Sequence, residues 1–167
     1  GNRGDIYSLK YSKETYAPPV SITEKLQNGL KCTYYKGSFI DTKNMTSVAP
    51  SQTFNVNSIE VPSEVNAPAF GLQYRGYIDV PENGIYSFYL TSDDGSLLSI
   101  DDKTVVDNDG LHSAIERSGE MALEKGLHRF SLDFIEGGGG YTLRLLYALQ
   151  GAQPQDIPPG IFKVEQK

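Results

Sequence analysis

In the stretch Leu127-His128-Arg129-Phe130-Ser131-Leu132-Asp133-Phe134-Ile135, the side chains Phe130, Leu132 and Phe134 fall on one face and Arg129, Ser131 and Asp133 on the other. A period of two is the signature of a strand with one side in a core and the other in water. The pattern recurs on both sides of this stretch. Upstream, Ile85–Thr91 sets Tyr86, Phe88 and Leu90 on one side, and Phe70–Val80 does the same with Tyr74, Gly76, Ile78 and Val80. Downstream, Tyr141–Tyr147 repeats it with Leu143, Leu145 and Tyr147. Half-buried alternating strands point to antiparallel pairing, because parallel sheets are covered on both faces. The expected core is Tyr86, Phe88, Leu90, Phe130, Leu132, Phe134, Leu143 and Leu145.

Turn signals divide these strands. Pro81-Glu82-Asn83-Gly84 is one, and Asp101-Asp102-Lys103 between Leu97–Ile100 and Thr104–Val106 reads as a tight hairpin. Leu30–Tyr35, Ile115–Leu123 and Ile161–Val164 are further strands. Residues 41–69 are rich in loops, with Pro50, Pro62 and Pro68 and one short strand near Phe54–Ile59. Nine or ten short strands at this spacing predict an all-β fold, an antiparallel sandwich or barrel. No segment carries a convincing amphipathic helix. Residues 1–28 are polar, contain Pro18 and Pro19, and lack a steady period. They read as a linker or N-terminal arm from a preceding domain, with the β domain spanning 29–167.

The 167 residues suffice for one core. A net charge of −6 argues against nucleic acid and against anionic membrane surfaces, both of which need a basic patch. No apolar run has the length of a membrane span, so membrane insertion is not expected. Cys32 is alone, so no disulfide forms within the chain. It lies in a strand and reads as a buried free thiol.

The densest polar cluster is Thr91-Ser92-Asp93-Asp94-Gly95-Ser96, followed by Asp101, Asp102, Asp107, Asn108 and Asp109. Adjacent carboxylates repel, and two readings account for Asp93 beside Asp94. One is a hard cation such as Ca²⁺, which takes six to eight oxygens. The other is a solvated turn, where Asp, Asn and Gly are preferred. Residues 105–116 fail as a helix–loop–helix calcium loop, because Val105 stands at the first ligand position and strands flank the segment. The run Gly137–Gly140 lacks the Lys-Ser/Thr of a phosphate loop. It is either a flexible hairpin tip or a loop whose backbone, at Gly138 and Gly139, closely approaches a ligand. His128 shares the face of Phe130 and reads as structural, whereas His112 is placed to orient its loop or touch a ligand. No nucleophile–base spacing stands out, so catalysis is not expected of this domain. Trp is absent, leaving Tyr as the aromatic for a sugar ring.

Read together, Gly29-Leu30-Lys31, Tyr34-Tyr35, Tyr74-Arg75-Gly76-Tyr77, Gly84-Ile85-Tyr86-Ser87-Phe88, Thr91-Ser92-Asp93-Asp94-Gly95-Ser96, Ile100-Asp101, Val105-Val106-Asp107-Asn108, Gly126-Leu127-His128 and Leu143-Arg144-Leu145-Leu146-Tyr147 occur in an order that resembles the anthrax protective-antigen-type lectin-like domain, the PA-fourteen family. The resemblance covers roughly residues 29–165. It implies a lectin-like, jelly-roll-type β-sandwich, found as a module in bacterial glycoside hydrolases, yeast adhesins and toxins. In the sugar-binding members two consecutive Asp residues joined by a cis peptide hold Ca²⁺, and the ion binds vicinal sugar hydroxyls. Asp93 and Asp94 match that pair. The family's later loop supplies an Asn ligand, and here that loop is Glu136-Gly137-Gly138-Gly139-Gly140, without Asn. Either Glu136 replaces it as a third metal ligand or no Ca²⁺ binds. Tyr74 and Tyr147 stand where the family carries Trp and read as core aromatics.

The function these features imply is a non-catalytic carbohydrate-binding accessory module of a larger secreted, periplasmic or cell-surface protein. The expected parent is a glycoside hydrolase such as a β-hexosaminidase, and the expected partners are a glycan and the adjacent catalytic domain. The alternative is a structural spacer or docking module with no ligand. On the first reading, both Asp carboxylates turn toward a shared pocket beside Gly137–Gly140.

Overall fold

The computed structural model describes residues 15–166. Twelve strands and two short 3₁₀ turns make up its regular structure, and no α-helix occurs among the described residues. In chain order the strands are β1 (Leu26–Asn28), β2 (Leu30–Lys36), β3 (Gln52–Val56), β4 (Phe70–Val80), β5 (Gly84–Asp93), β6 (Ser96–Ile100), β7 (Lys103–Asn108), β8 (Ile115–Leu123), β9 (Gly126–Glu136), β10 (Thr142–Leu149), β11 (Gln155–Asp156) and β12 (Phe162–Glu165). Eight of them form one sheet in the order β1-β12-β4-β9-β6-β7, with β2 also on β4 and β3 on β2. The other four form a second sheet, β11-β10-β5-β8. The pairings between these strands are antiparallel.

The alternation read from the sequence sets which side of each strand is dry. Phe130, Leu132 and Phe134 of β9 lie opposite Gly76, Tyr74 and Leu72 of β4. From the second sheet, Tyr86, Phe88 and Leu90 meet them, with Leu145 and Tyr147 of β10 and the partly buried Leu143. Phe130 packs edge-on against Phe162 at 5.0 Å between ring centres. Tyr74 and Tyr147 are core aromatics, as expected. The Tyr74 hydroxyl donates to the Glu60 carbonyl. Cys32 is fully buried, and burial pushes its thiol up to about 12.

His128 is also fully buried. Its Nδ1 lies 2.7 Å from Asp101 Oδ2 and its Nε2 2.7 Å from the Glu124 carbonyl. Both partners are acceptors, so an imidazole satisfied on both sides carries two protons. Burial by itself lowers its basicity, but the bonds to Asp101 and Glu124 raise it further and the net shift is upward. The Asp101-Asp102 turn joins β6 to β7 with φ of 51° and 65° at its two residues, the left-handed pair a two-residue type I′ hairpin requires.

Two sequence expectations shift. The short strand placed near Phe54–Ile59 is Gln52–Val56, because β2 pairs it residue for residue from Leu30↔Val56 to Tyr34↔Gln52. The sheet also begins before Gly29. Leu26–Asn28 pairs with Lys163–Glu165, and Ala17 and Val20 donate to the carbonyls of Ala122 and Leu127. The polar composition of 15–28 concealed this, since an edge strand needs backbone partners rather than a buried face. Residues 1–14 of the expected arm lie outside the described residues.

A second, smaller apolar cluster covers the outer face of the large sheet near the end of β9. Segment 37–47 crosses there and packs Phe39 and Met45 against Tyr35 and Ile135. Gly71 makes room for it, since a Cβ at that position would stand 2.6 Å from Met45 Sδ.

Candidate cation and ligand site

At the Phe70 end of β4, strand β5 runs out in Asp93 and β9 in Glu136. The period of two that turns Phe134 inward also turns Glu136 inward, opposite Phe70. The carboxylate is thus carried into the sandwich mouth and is 1% exposed. Asp93 and Asp94 are joined by a cis peptide. Ligand oxygens of Asp93, Asp94 and Glu136 all lie within 4.8 Å of one another. This is the one group of three or more His, Cys, Asp or Glu side chains drawn together in this way among the described residues.

Backbone amides hold two of the three carboxylates. Asp94 Oδ1 accepts from the His112 amide at 3.0 Å, and Oδ2 from the Gly137 amide at 2.7 Å. Glu136 Oε1 accepts from the Gly138 amide at 2.8 Å. Glu136 Oε2 is buried and has no partner. A buried carboxylate oxygen without a donor is costly. Burial pushes the Glu136 carboxyl up to about 7, and the negative charges of Asp94 and Asp93 add to the rise, while the Gly138 amide pulls it down.

Loops enclose the group on two sides. Gly138, Gly139 and Gly140 have φ of 129°, 90° and 110°, a run only glycine adopts comfortably. Space beside Gly139 and Gly140 is open. On the other side the 108–113 loop is clipped by its histidine: His112 Nε2 lies 2.8 Å from the Asn108 carbonyl and Nδ1 2.7 Å from the Ser113 carbonyl. The imidazole thus spends both nitrogens on its own loop, and the backbone amide of His112 is what reaches Asp94. Leu111 and Tyr141 stand exposed at the rim. Leu111 lies against Gly137, and the Tyr141 ring meets Phe70 and Phe134 edge-on.

A buried polar network underlies the Asp pair. Asn108 Nδ2 donates to the carbonyls of Leu90 and Ile115 and to Ser92 Oγ, which lies 2.6 Å from Ser96 Oγ. Asn108 was legible as one member of an acidic run and of the Val105-Val106-Asp107-Asn108 segment, with no role assigned to it. Its framework role depends on β7 passing beneath β5, which no local pattern reveals. Thr42, which grips Asp109, gave no sequence signal at all.

In chemical terms the site offers several carboxylate oxygens from three side chains, one of them unpartnered, in a half-open setting. That donor set suits a hard divalent cation such as Ca²⁺ rather than a soft metal. No helix of the described residues is long and apolar enough to cross a membrane.

Comparison with known proteins places the fold. The chain is 20% identical over 132 residues to the anti-sigma-I factor RsgI3 of Acetivibrio thermocellus, covering 78% of this chain but only 20% of that one. Among solved structures, the PA14 sugar-binding domain from an RTX adhesin superposes with a TM-score of 0.71 at 19% identity, over 82% of this chain and 98% of the other. An anti-sigma factor domain-containing protein from Clostridium clariflavum superposes with a TM-score of 0.69 at 22% identity, over 89% of this chain and 51% of the other. These likenesses share the two-sheet fold described above. The PA14 domain family matches residues 26–158, from the first strand of the large sheet to the turn before the last, and the chain belongs to that family.

Proposed function

We propose that this domain is a non-catalytic glycan-binding module that depends on Ca²⁺, with Asp93, Asp94 and Glu136 as the side chains that hold the ion. The observation that carries the reading is the Glu136 carboxylate: its Oε2 is buried and unpartnered, and the group offers an oxygen within 4.8 Å of oxygens of Asp93 and Asp94. A cation gives that oxygen the partner it lacks and relieves the mutual repulsion of three carboxylates. Bound Ca²⁺ would offer free coordination positions to vicinal hydroxyls of a sugar. The chain's own residues shape the rest of the site. Gly138 and Gly139 keep side-chain bulk away from the mouth, His112 fixes the loop opposite, and Leu111 and Tyr141 present apolar surface to a ring face. The sugar-binding domain of the RTX adhesin supports this assignment by fold.

The module would serve a larger extracytoplasmic protein. A glycoside hydrolase with an adjacent catalytic domain is one such carrier. The anti-sigma factor relatives, of which the chain spans about a fifth and about half, are another.

Calorimetric titration of Ca²⁺ into the protein, beside an Asp94→Ala variant, tests the ion. Dissociation in the range of about 0.1–1 mM is expected for an extracellular module, and none for the variant. A glycan array with and without a chelator then tests the sugar. No heat at millimolar Ca²⁺, or binding that survives the substitution, would replace this reading with that of a spacer or docking module.

A further inference from the structure

Asp94 is held by a loop that is anchored from outside as well as by its own histidine. The 108–113 segment contributes the His112 amide to Asp94 Oδ1, and a residue far away in the chain also bonds to it. Thr42 is 2% exposed and binds Asp109 at two points. Its amide donates to Oδ1 at 2.9 Å, and its hydroxyl donates to Oδ2 at 2.8 Å. Asp109 Oδ1 also takes the Gly110 amide at 2.8 Å. The gripped backbone rests on Gly95, the residue after Asp94, where a Cβ would stand 2.4 Å from the Gly110 carbonyl oxygen and 3.0 Å from Asp109 Oδ1. The order of contact is therefore Thr42, Asp109, Gly110 upon Gly95, and the His112 amide upon Asp94.

Thr42 in turn is anchored. It lies between Phe39 and Met45, which pack on Ile135, and Ile135 is the neighbour of Glu136 in β9. One packed segment thus refers two carboxylates to a common frame: Glu136 through its own strand, and Asp94 through the Thr42–Asp109 grip.

We propose that Thr42 is a positioning residue for the site, whose two-point grip on Asp109 sets the 108–113 loop so that the His112 amide orients the Asp94 carboxylate. The consequence for cation affinity rests on the proposed Ca²⁺ reading, whereas the consequence for the loop does not. Thr42→Val keeps the shape and the backbone donor and removes only the hydroxyl. Thr42→Ser keeps the hydroxyl.

Two measurements on the whole chain test this. The first is amide hydrogen exchange in chelator. In Thr42→Val the His112 amide should exchange about fivefold faster or more, the loss expected when one supporting hydrogen bond goes. Amides of Phe130 and Leu132 should stay at their wild-type rates, and Thr42→Ser should match wild type throughout. Unchanged exchange at His112, or equal acceleration in β9, overturns the proposal, the latter because it marks a general loss of stability. The second measurement is Ca²⁺ titration of the same three proteins. Affinity about fivefold weaker in Thr42→Val and preserved in Thr42→Ser supports the positioning role, and equal affinity in all three overturns it. A wild type that binds no Ca²⁺ while the exchange result holds would remove the cation reading and leave the grip on the Asp94 loop standing.

Discussion

Replacing Glu136 by Gln makes the electrostatics of the site measurable without any ligand. Gln cannot ionise, has nearly the same shape, and keeps an oxygen for the Gly138 amide. In the folded, metal-free protein Glu136 titrates at about 7 instead of its ordinary 4.5. The native state therefore binds its proton more tightly than the unfolded chain does. Below pH 4.5 both states are protonated and the group is neutral in its effect. As the pH climbs from 4.5 to 7, the unfolded chain releases the proton first, and the native state is progressively destabilised. Above pH 7 the full penalty stands. At 1.36 kcal/mol per unit, the displacement amounts to about 3 kcal/mol, a value in keeping with a side chain only 1% exposed. Urea unfolding of wild type and Glu136→Gln in chelator, at pH 4.5, 6 and 7.5, reads it directly. The difference between the two proteins should move by about 3 kcal/mol in favour of Gln across that range. Because the variant is compared with wild type at each pH, contributions from groups distant from the site cancel. Parallel curves, with a difference that changes by less than about 1 kcal/mol, would refute the argument that Glu136 is buried among like charges.

Three further outcomes are expected. His128, raised above its ordinary 6.5 by Asp101 and the Glu124 carbonyl after burial has opposed it, adds stability that is fully present below pH 6.5 and is lost as the pH rises through the shifted value. A ring titration followed by NMR that gave a value under 6.5 would contradict this. Cys32, with its thiol at about 12 and no exposure, should resist a thiol-specific reagent at pH 8 in the native protein and react fully in denaturant; fast native reaction would show the strand to be open. Phe130→Ala should cost about 3–5 kcal/mol of unfolding free energy, because the ring is 2% exposed and packed on Phe162. A loss below about 1 kcal/mol would mean the core closes over the gap.

The sandwich was legible because its information is local. Phe130, Leu132 and Phe134 alternate with Arg129, Ser131 and Asp133, and a strand needs nothing more to assign its faces. The same rule, extended by two residues, carried Glu136 inward to meet Asp93 and Asp94. Ile135 shows where such reasoning stops. By alternation it faces away from the core, yet it is buried, because segment 37–47 folds over it. Thr42 and Asp109 are separated by 67 positions, and neither belongs to a periodic run. Their contact comes from how two irregular segments cross, which depends on Phe39, Met45 and Gly71 together. The early start of the sheet escaped for a related reason. Leu26–Asn28 is held by the backbone groups of Lys163–Glu165, and backbone pairing leaves no mark in side-chain pattern.

The pairing of β1 with β12 also closes one edge of the large sheet. Leu26 lies opposite Glu165, and the Gln166 amide donates to the Lys25 carbonyl at 2.8 Å, so two segments far apart in sequence are clasped side by side. A chain trimmed of Leu26–Asn28 would leave the backbone groups of Lys163–Glu165 bare on that side, an open edge for another strand to pair with. The clasp runs along β12, whose Lys163 pairs with Tyr77 of β4, whereas Glu136 pairs with Phe70. None of the clasped residues supplies a carboxylate to the acidic mouth, so the edge and the site are separate liabilities of one sheet.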